Sequence, residues 1–205
     1  MPSPAKMSPQ TVAGNVNLND RVVKPMKTTW SQNYNSEVTR QRLAERGLKS
    51  QRNIFQNGDY YAGQVDVVSG QRKGSGRLRE ENQDLYVGDW KEDMKHGLGS
   101  TYTRCGPHKG SRYEGGFARD EMSGHGTYRN NTGAVYQGQY KEGCKEGWGS
   151  LAFPEGDLYE GEWKSDKFDG HGTMRWKAGA MYEGQWKVTN HTLILLTLDT
   201  NHPRH

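Results

Sequence analysis

The sequence has little apolar material and no long hydrophobic run. Only 31% of its 205 residues are hydrophobic, and counting the 27 glycines still leaves the apolar share below the ~45–50% of ordinary domains. The most apolar stretch, Leu193 to Leu198, is far shorter than the ~20 residues of a membrane-spanning helix. The composition therefore argues against a thick two-layer core and favours a thin structure built on aromatic residues and glycine.

Cysteine is also scarce. The two cysteines, Cys105 and Cys144, are too few for a disulfide framework, which fits a reduced, intracellular setting. The first residues, Met1 to Lys6, lead into no apolar segment of the kind found in secretory signals. We therefore expect a cytoplasmic protein.

Most of the chain carries no excess of basic charge. The net charge is +4, but residues 1–50 alone hold eight Lys or Arg against three Asp or Glu, a surplus of five that leaves about −1 for the remainder. A nucleic-acid groove carries a basic stripe, so the nearly neutral part after residue 50 argues against nucleic acid as a partner.

One short motif is abundant in the sequence. It is a Tyr with a Gly two residues later and, in most copies, an aromatic residue four residues later. The last three intervals between these tyrosines are 23 residues each, and the first two are 25 and 27. In four copies a Gly-x-Gly begins 11 residues after the tyrosine, and in the first copy it begins 13 residues after it. A fixed period of this size indicates a repeat array. The six copies begin at Tyr61, Tyr86, Tyr113, Tyr136, Tyr159 and Tyr182.

Alternation within a copy predicts strands. In the fifth copy Tyr159, Gly161 and Trp163 have one parity and the intervening Glu160 and Glu162 the other, so the two sets point to opposite faces of a strand. Turn residues separate two such strands in each period, which makes every repeat a β-hairpin. The prediction is an all-β fold, an elongated single-layer antiparallel sheet of about eleven strands, in which glycines make room for aromatic rings.

Three segments follow from this pattern. Residues 1–50 are interpreted as a basic, largely disordered arm with a short helix over 37–46, capped by Ser36 and stopped by Gly47. Residues 51–187 are the array, whose last copy lacks its second half. Residues 188–205 are a divergent tail, which is either a cap strand or the end of a truncated or alternatively spliced form.

Possible catalytic and metal-binding residues have plainer interpretations. His96, His125 and His171 are each assigned to the position just before a Gly-x-Gly, and three equivalent histidines could form a metal-binding column. Matching side chains in adjacent hairpins lie ~10 Å apart, however, which is too far to share one zinc ion. The Gly-x-Gly motifs lack the spacing of a nucleotide-binding loop. Glu160, Glu162 and Glu183 have no cleft around them, as a glycosidase pair would need. We therefore expect no metal, no cofactor and no enzymatic activity.

Two surfaces could bind partners. The aromatic residues of the repeats either form the spine of the fold or line a hydrophobic groove for a partner helix or peptide. These residues are Trp90, Phe117, Tyr140, Trp163 and Trp186. A basic cluster, Arg40, Arg42, Arg46 and Lys49, is either a solvated helix face or a contact for acidic lipid or protein surfaces.

The Tyr-x-Gly-x-aromatic and Gly-x-Gly motifs on a 23-residue period resemble MORN repeats (membrane occupation and recognition nexus) over residues 51–187. The full Tyr-Glu-Gly-x-Trp form occurs at Tyr159 and Tyr182, whereas the first copy has Val65 in place of the aromatic. The resemblance implies a non-enzymatic scaffold in cilia, flagella or developing sperm, including the acrosome, with axonemal, cytoskeletal or signalling proteins as partners. An adaptor for acidic phospholipid membranes is the alternative, and exposed terminal strands allow a homo-oligomer.

Overall fold

The computed structural model describes residues 37–189 and 192–195, which form one short helix and a single antiparallel sheet of thirteen strands in chain order. This confirms the predicted all-β, single-layer architecture. The predicted arm up to Ser36 and the tail beyond residue 195 lie outside the described residues. The elements are α1 (Glu37–Glu45), β1 (Leu48–Ile54), β2 (Tyr60–Asp66), β3 (Arg72–Arg79), β4 (Leu85–Lys91), β5 (Met94–Tyr102), β6 (Arg112–Ala118), β7 (Glu121–Arg129), β8 (Val135–Lys141), β9 (Cys144–Ala152), β10 (Leu158–Lys164), β11 (Lys167–Arg175), β12 (Met181–Thr189) and β13 (Thr192–Leu195).

The sheet has two strands more than the repeat pattern predicts. β1 precedes the first tyrosine copy and pairs with β2, and β13 follows the last copy and pairs with β12. β1 contains no Tyr-x-Gly motif, so nothing in the repeat pattern signals it. α1 packs against β1, where Leu43 and Leu48 are buried, and Gly47 ends the helix with a φ of 64°.

The hairpins β4–β5, β6–β7, β8–β9 and β10–β11 close with turns of only two residues. Both turn residues have positive φ in all four, as at Glu92 and Asp93 (52° and 66°). This is the turn geometry that matches the twist of antiparallel strands. The two strands of a repeat therefore leave each tight turn already paired.

A row of glycines crosses the sheet from β2 to β12, with one glycine directly opposite the next in every pair of strands. A Cβ atom added to Gly161 would lie 2.5 Å from both the Cα of Gly172 and the hydroxyl oxygen of Tyr159. The tyrosine ring therefore occupies the space that side chains would fill, as the sequence predicts. The row consists of Gly63, Gly76, Gly88, Gly99, Gly115, Gly126, Gly138, Gly149, Gly161, Gly172 and Gly184.

The core is one continuous line of rings on the tyrosine face of the sheet. Each repeat tyrosine from Tyr86 to Tyr159 makes edge-to-face contacts with the aromatic ring of its own strand and with that of the next repeat, at centroid distances of 5.0–5.4 Å. This geometry suits the quadrupoles of aromatic rings. Val65, which stands in the first copy where an aromatic was expected, is also buried in this cluster. Neighbouring repeats thus share one core rather than having one each.

Candidate functional site

The five aromatic residues predicted as a partner-binding face are buried, each with less than a tenth of its surface exposed. The indole nitrogens of Trp163 and Trp186 donate hydrogen bonds to the carbonyl oxygens of Gly149 (3.1 Å) and Gly172 (2.8 Å). Of the two roles considered for these five residues, the structure therefore supports the first, in which they form the spine of the fold. A partner could reach these rings only by separating neighbouring repeats, and partner binding by Trp90, Phe117, Tyr140, Trp163 and Trp186 stays a prediction.

The opposite face of the sheet, here called the outer face, carries the alternate residues of each strand. Glu160, Glu162 and Glu183 lie on it, as the alternation predicts. The carboxylate of Glu160 forms an ion pair with Arg175, and one oxygen of Glu162 accepts a hydrogen bond from the backbone N–H of His171 at 2.9 Å. The carboxylate of Glu160 is thus balanced and that of Glu162 hydrogen-bonded on an open surface.

A shallow groove of about 450 Å³ crosses the outer face from β6 to β10. Trp148 stands in it with 57% of its surface exposed, and the other side chains of the lining are polar. The two carboxylates in the lining, Glu114 and Glu160, are paired with Arg112 and Arg175, so the groove has no strong local charge. The lining residues are Glu114, His125, Gly126, Thr127, Gln137, Gly138, Trp148, Gly149, Ser150 and Glu160.

Trp148 is not among the partner-binding residues predicted from the sequence. The signal is present, because Trp148 stands between the two glycines of a Gly-x-Gly, where other copies have Ser75, Leu98, His125 and His171. In strand register this position lies on the outer face, beside Glu162 of β10. A tryptophan there cannot join the core, and parity together with this register indicates an exposed indole.

The histidines do not form the matched column that the sequence suggested. His125 and His171 lie within their Gly-x-Gly motifs and face Gln139 and Gln185, whereas His96 precedes its motif and pairs with Asp89. The interpretation of three equivalent positions was therefore wrong for His96. Within residues 37–189 and 192–195, no group of three His, Cys, Asp or Glu side chains is placed to hold a metal ion.

Neither cysteine shows the environment of an activated nucleophile. Cys105 is exposed in the loop between β5 and β6. Desolvation and the nearby Asp166 carboxylate raise the pKa of the Cys144 thiol, which disfavours the reactive thiolate.

The residues of the basic cluster are exposed at the N-terminal end of the array. Arg40 and Arg42 lie on α1, Arg46 follows it, and Lys49 lies on β1. Glu45 is the one acidic residue between positions 40 and 49. The end of the sheet nearest the N terminus is thus basic, while the groove around Trp148 is nearly neutral. No helix of the described segments is long and apolar enough to cross a bilayer.

Comparison with known proteins bears on the repeats directly. The model of the MORN repeat family matches residues 86–102, 113–135, 136–158 and 159–181. No curated protein matched the chain. Among solved structures, the chain is similar to the SAS-4 (dCPAP) TCP domain of Drosophila melanogaster in complex with a proline-rich motif of Ana2 (dSTIL), at 11% identity over 65% of this chain and 76% of that chain, with a TM-score of 0.36.

The four matched segments coincide with the hairpins of the sheet. Each begins at or beside a repeat tyrosine and covers two strands, as residues 159–181 cover β10 and β11. The same register of glycines and tyrosines extends on either side of the matched region, to β2 and to β12. The chain is therefore a repeat protein, four of whose hairpins match the model of the MORN repeat.

Proposed function

We propose that this chain is a non-enzymatic scaffold that binds a protein partner in the groove of its outer face. The observation that supports the proposal is the exposed indole of Trp148 in a groove whose other side chains are polar. MORN repeats are a non-enzymatic module that generally binds proteins or membranes. An exposed tryptophan surrounded by hydrogen-bonding side chains is typical of the anchor point of a protein interface.

The core leaves the outer face available for this role. Because the rings on the tyrosine face pack against one another between neighbouring repeats, they hold the array together without contacting the outer face. The groove floor offers Thr127, Gln137 and Ser150 as hydrogen-bonding groups around the indole. A segment that lays an apolar side chain on Trp148 and pairs its polar groups with the floor would fit.

The cellular setting that we propose comes from the resemblance to the repeat family. It is the cytoplasm of ciliated or flagellated cells, including developing sperm, with axonemal, cytoskeletal or signalling proteins as partners. Within the family, the segments Gly47 to Gln51 and Asn57 to Tyr61 resemble the start of the array in MORN repeat-containing protein 3. We propose that narrower relationship as well.

The test is affinity purification of the tagged full chain from ciliated cells, followed by reconstitution with each purified candidate partner. Trp148→Ala should weaken binding of a genuine groove partner about tenfold or more, the loss expected of a central aromatic anchor. Leu98→Ala is the matched control, because Leu98 is an exposed apolar residue on the same face outside the groove lining. Equal binding by wild type and Trp148→Ala would exclude the groove.

The exposed basic cluster supports a second candidate function, an adaptor for acidic phospholipid surfaces. Four basic side chains near one end would be attracted to anionic headgroups at ~1 kcal/mol each close to the surface. Flotation of the full chain with anionic vesicles at low and physiological salt tests this function, because attraction through exposed charges weakens as the Debye length shrinks. Failure to float at either salt would reject it without affecting the groove.

A further inference from the structure

The hairpin of β2 and β3 differs from the other hairpins at its turn. Its loop has five residues, 67–71, where the next four tyrosine hairpins have two. This loop accounts for the Gly-x-Gly that begins 13 residues after Tyr61 rather than 11. It also exposes two apolar side chains, Val67 with 47% and Val68 with 93% of the surface in solvent. No structural need of the repeat explains valines there.

The loop is held in a defined conformation. The carboxylate of Asp66 accepts hydrogen bonds from the backbone N–H groups of Val68 and Ser69, both at 3.0 Å, and it forms an ion pair with Lys73 at 3.0 Å. The N–H of Gly70 donates to the carbonyl oxygen of Asp66 at 3.0 Å. Val68 is therefore presented to solvent by an ordered turn, and little conformational entropy would be lost when it contacts another surface.

The same loop lies next to the basic cluster. The N–H of Val67 donates to the carbonyl oxygen of Gly47 at 2.9 Å, which ties the loop to the end of α1. Arg46 immediately precedes Gly47, and Arg42 lies one helical turn earlier. An apolar tip and several exposed basic side chains are thus brought together at one end of the array.

We propose that the loop bearing Val67 and Val68, together with Arg42, Arg46 and Lys49, is a docking site for an anionic lipid bilayer. The inference rests on the second candidate function and locates its site. Charge complementarity and shape favour this occupant, because a protruding pair of valines needs a soft apolar layer rather than a rigid complementary pocket. Apolar insertion combined with attraction of basic residues gives two weak signals that together hold a protein at a membrane surface.

The first experiment measures vesicle binding of the full chain and of three folded variants. Vesicles contain phosphatidylcholine alone or with about a third phosphatidylserine, which gives a surface anionic enough to attract basic residues. We expect Val67→Ser/Val68→Ser to weaken binding to anionic vesicles about tenfold or more, from the lost apolar burial. Arg42→Glu/Arg46→Glu should weaken it at least as much, from the lost and reversed charges. Leu98→Ser, which removes an exposed apolar side chain far from the loop, should bind like the wild type.

The second experiment asks whether the loop enters the bilayer. Cys105 and Cys144 are replaced by Ser, and a polarity-sensitive fluorophore is attached at Val68→Cys or, as the control, at Leu98→Cys. Anionic vesicles should shift the emission to shorter wavelength at position 68 and leave it unchanged at position 98. Circular dichroism checks that each labelled protein is folded.

The outcomes separate the two ideas. Vesicle binding by the wild type without a shift at position 68, or without loss in the valine variant, would overturn the loop site while the lipid function stood on other residues. Equal binding to neutral and anionic vesicles would overturn the basic part of the site. No binding to either vesicle would reject both the site and the lipid function.

Discussion

At the scale of single residues, the repeat tyrosine does two jobs. In the first five copies its ring covers a pair of glycines that face each other across two strands. In all six copies its hydroxyl donates a hydrogen bond to the carbonyl oxygen of the residue three positions later. The six bonds have O···O distances of 2.8–3.1 Å. Phenylalanine could cover the glycines but could not form the bond. This explains why the position is tyrosine in every copy, whereas the aromatic four residues later varies.

Removing one hydroxyl group tests this division of roles. Tyr159→Phe should lower the free energy of unfolding by about 1 kcal/mol, because the partly buried carbonyl oxygen of Glu162 loses its donor (2.9 Å). Tyr140→Phe is the matched control, since the buried Tyr140 hydroxyl has no hydrogen-bond partner among the described residues. That variant should be neutral or more stable. Urea unfolding measures both, and equal losses would contradict the assigned roles.

The buried phenols also predict a loss of stability in alkali. Desolvation raises the pKa of Tyr113 and of Tyr136 to about 12, above the ~10 of an exposed phenol. A folded-state pKa above the unfolded value means that the stabilisation is complete below pH ~10 and is lost as the pH rises from there towards 12. Urea unfolding over this range should show a falling midpoint, with tyrosinate absorbance appearing as the protein unfolds. A constant midpoint would mean that the phenols ionise within the folded sheet.

At the scale of elements, successive hairpins are linked on the side of the sheet where the two-residue turns lie. Each such link between one hairpin and the turn of the next is called a joint. In each of three such joints, the N–H of a basic residue at the first or second position of a strand donates to an aspartate carboxylate in the next tight turn, at 2.8–3.0 Å. The aspartate N–H donates back to the carbonyl oxygen of that basic residue, at 3.1–3.2 Å. These reciprocal bonds resemble a capping box in linking two backbone segments through one short side chain. The pairs are Arg72 with Asp93, Lys95 with Asp120, and Lys145 with Asp166.

The central joint lacks these side-chain bonds. Gly143 stands in the turn position of the aspartates and retains only its N–H bond to the carbonyl oxygen of Met122, at 3.0 Å. On the opposite side of the sheet, where the loops between repeats lie, the carboxylate of Asp157 accepts a hydrogen bond from the N–H of Lys177 at 2.9 Å. One repeat earlier, the position of this aspartate is occupied by Ala134, which has no carboxylate. The residue that would donate to it is Pro154, which has no N–H. Among the joints that the described residues form, the one around β7 to β9 is therefore the least cross-linked, and the groove lies over it.

A substitution in one clamp tests its contribution. Asp166→Gly should lower the free energy of unfolding by about 1 kcal/mol, because loss of a charged hydrogen bond (~1.5–3 kcal/mol) outweighs the ~1 kcal/mol gained by glycine at a positive φ. Hydrogen exchange of the Lys145 amide should become faster. Met122→Lys/Gly143→Asp is the reciprocal variant and should slow exchange at position 122. If exchange at both sites were unchanged, the bonds would not restrain the joint.

The repeat pattern predicts the hairpins, the glycine slots and the outward glutamates, because each follows from alternation within a strand. It does not predict β1, whose Gln51 continues the glycine row opposite Gly63 without a motif of its own. Nor does it separate spine from surface among the aromatics, because burial of Trp163 depends on the neighbouring repeat. The exposure of Trp148 follows from parity, but only after the strand register is known.

At the scale of the whole molecule, stability passes from repeat to repeat through one line of rings. The sheet has no second layer, so a ring such as Trp163 is buried only because Tyr136 of the preceding repeat (5.0 Å) and Tyr159 of its own strand (5.4 Å) lie against it. Arrays of this kind gain stability from nearest-neighbour interfaces. A break in the line should therefore uncouple the repeats on its two sides.

Two tryptophans from neighbouring strands give the sharpest test of that coupling. Trp163→Ala removes a buried ring that also touches Phe168 at 4.7 Å, and it should cost about 3–5 kcal/mol and broaden or split the urea transition. Trp148→Ala removes the same side chain from the outer face, where 57% of it is exposed, and should cost less than about 1 kcal/mol with an unchanged transition width. Circular dichroism and tryptophan fluorescence, recorded across the same titrations, measure both. A single sharp transition in Trp163→Ala would mean that hydrogen bonding along the sheet couples the repeats without the line of rings, because the strand ladder is the other connection that all thirteen strands share.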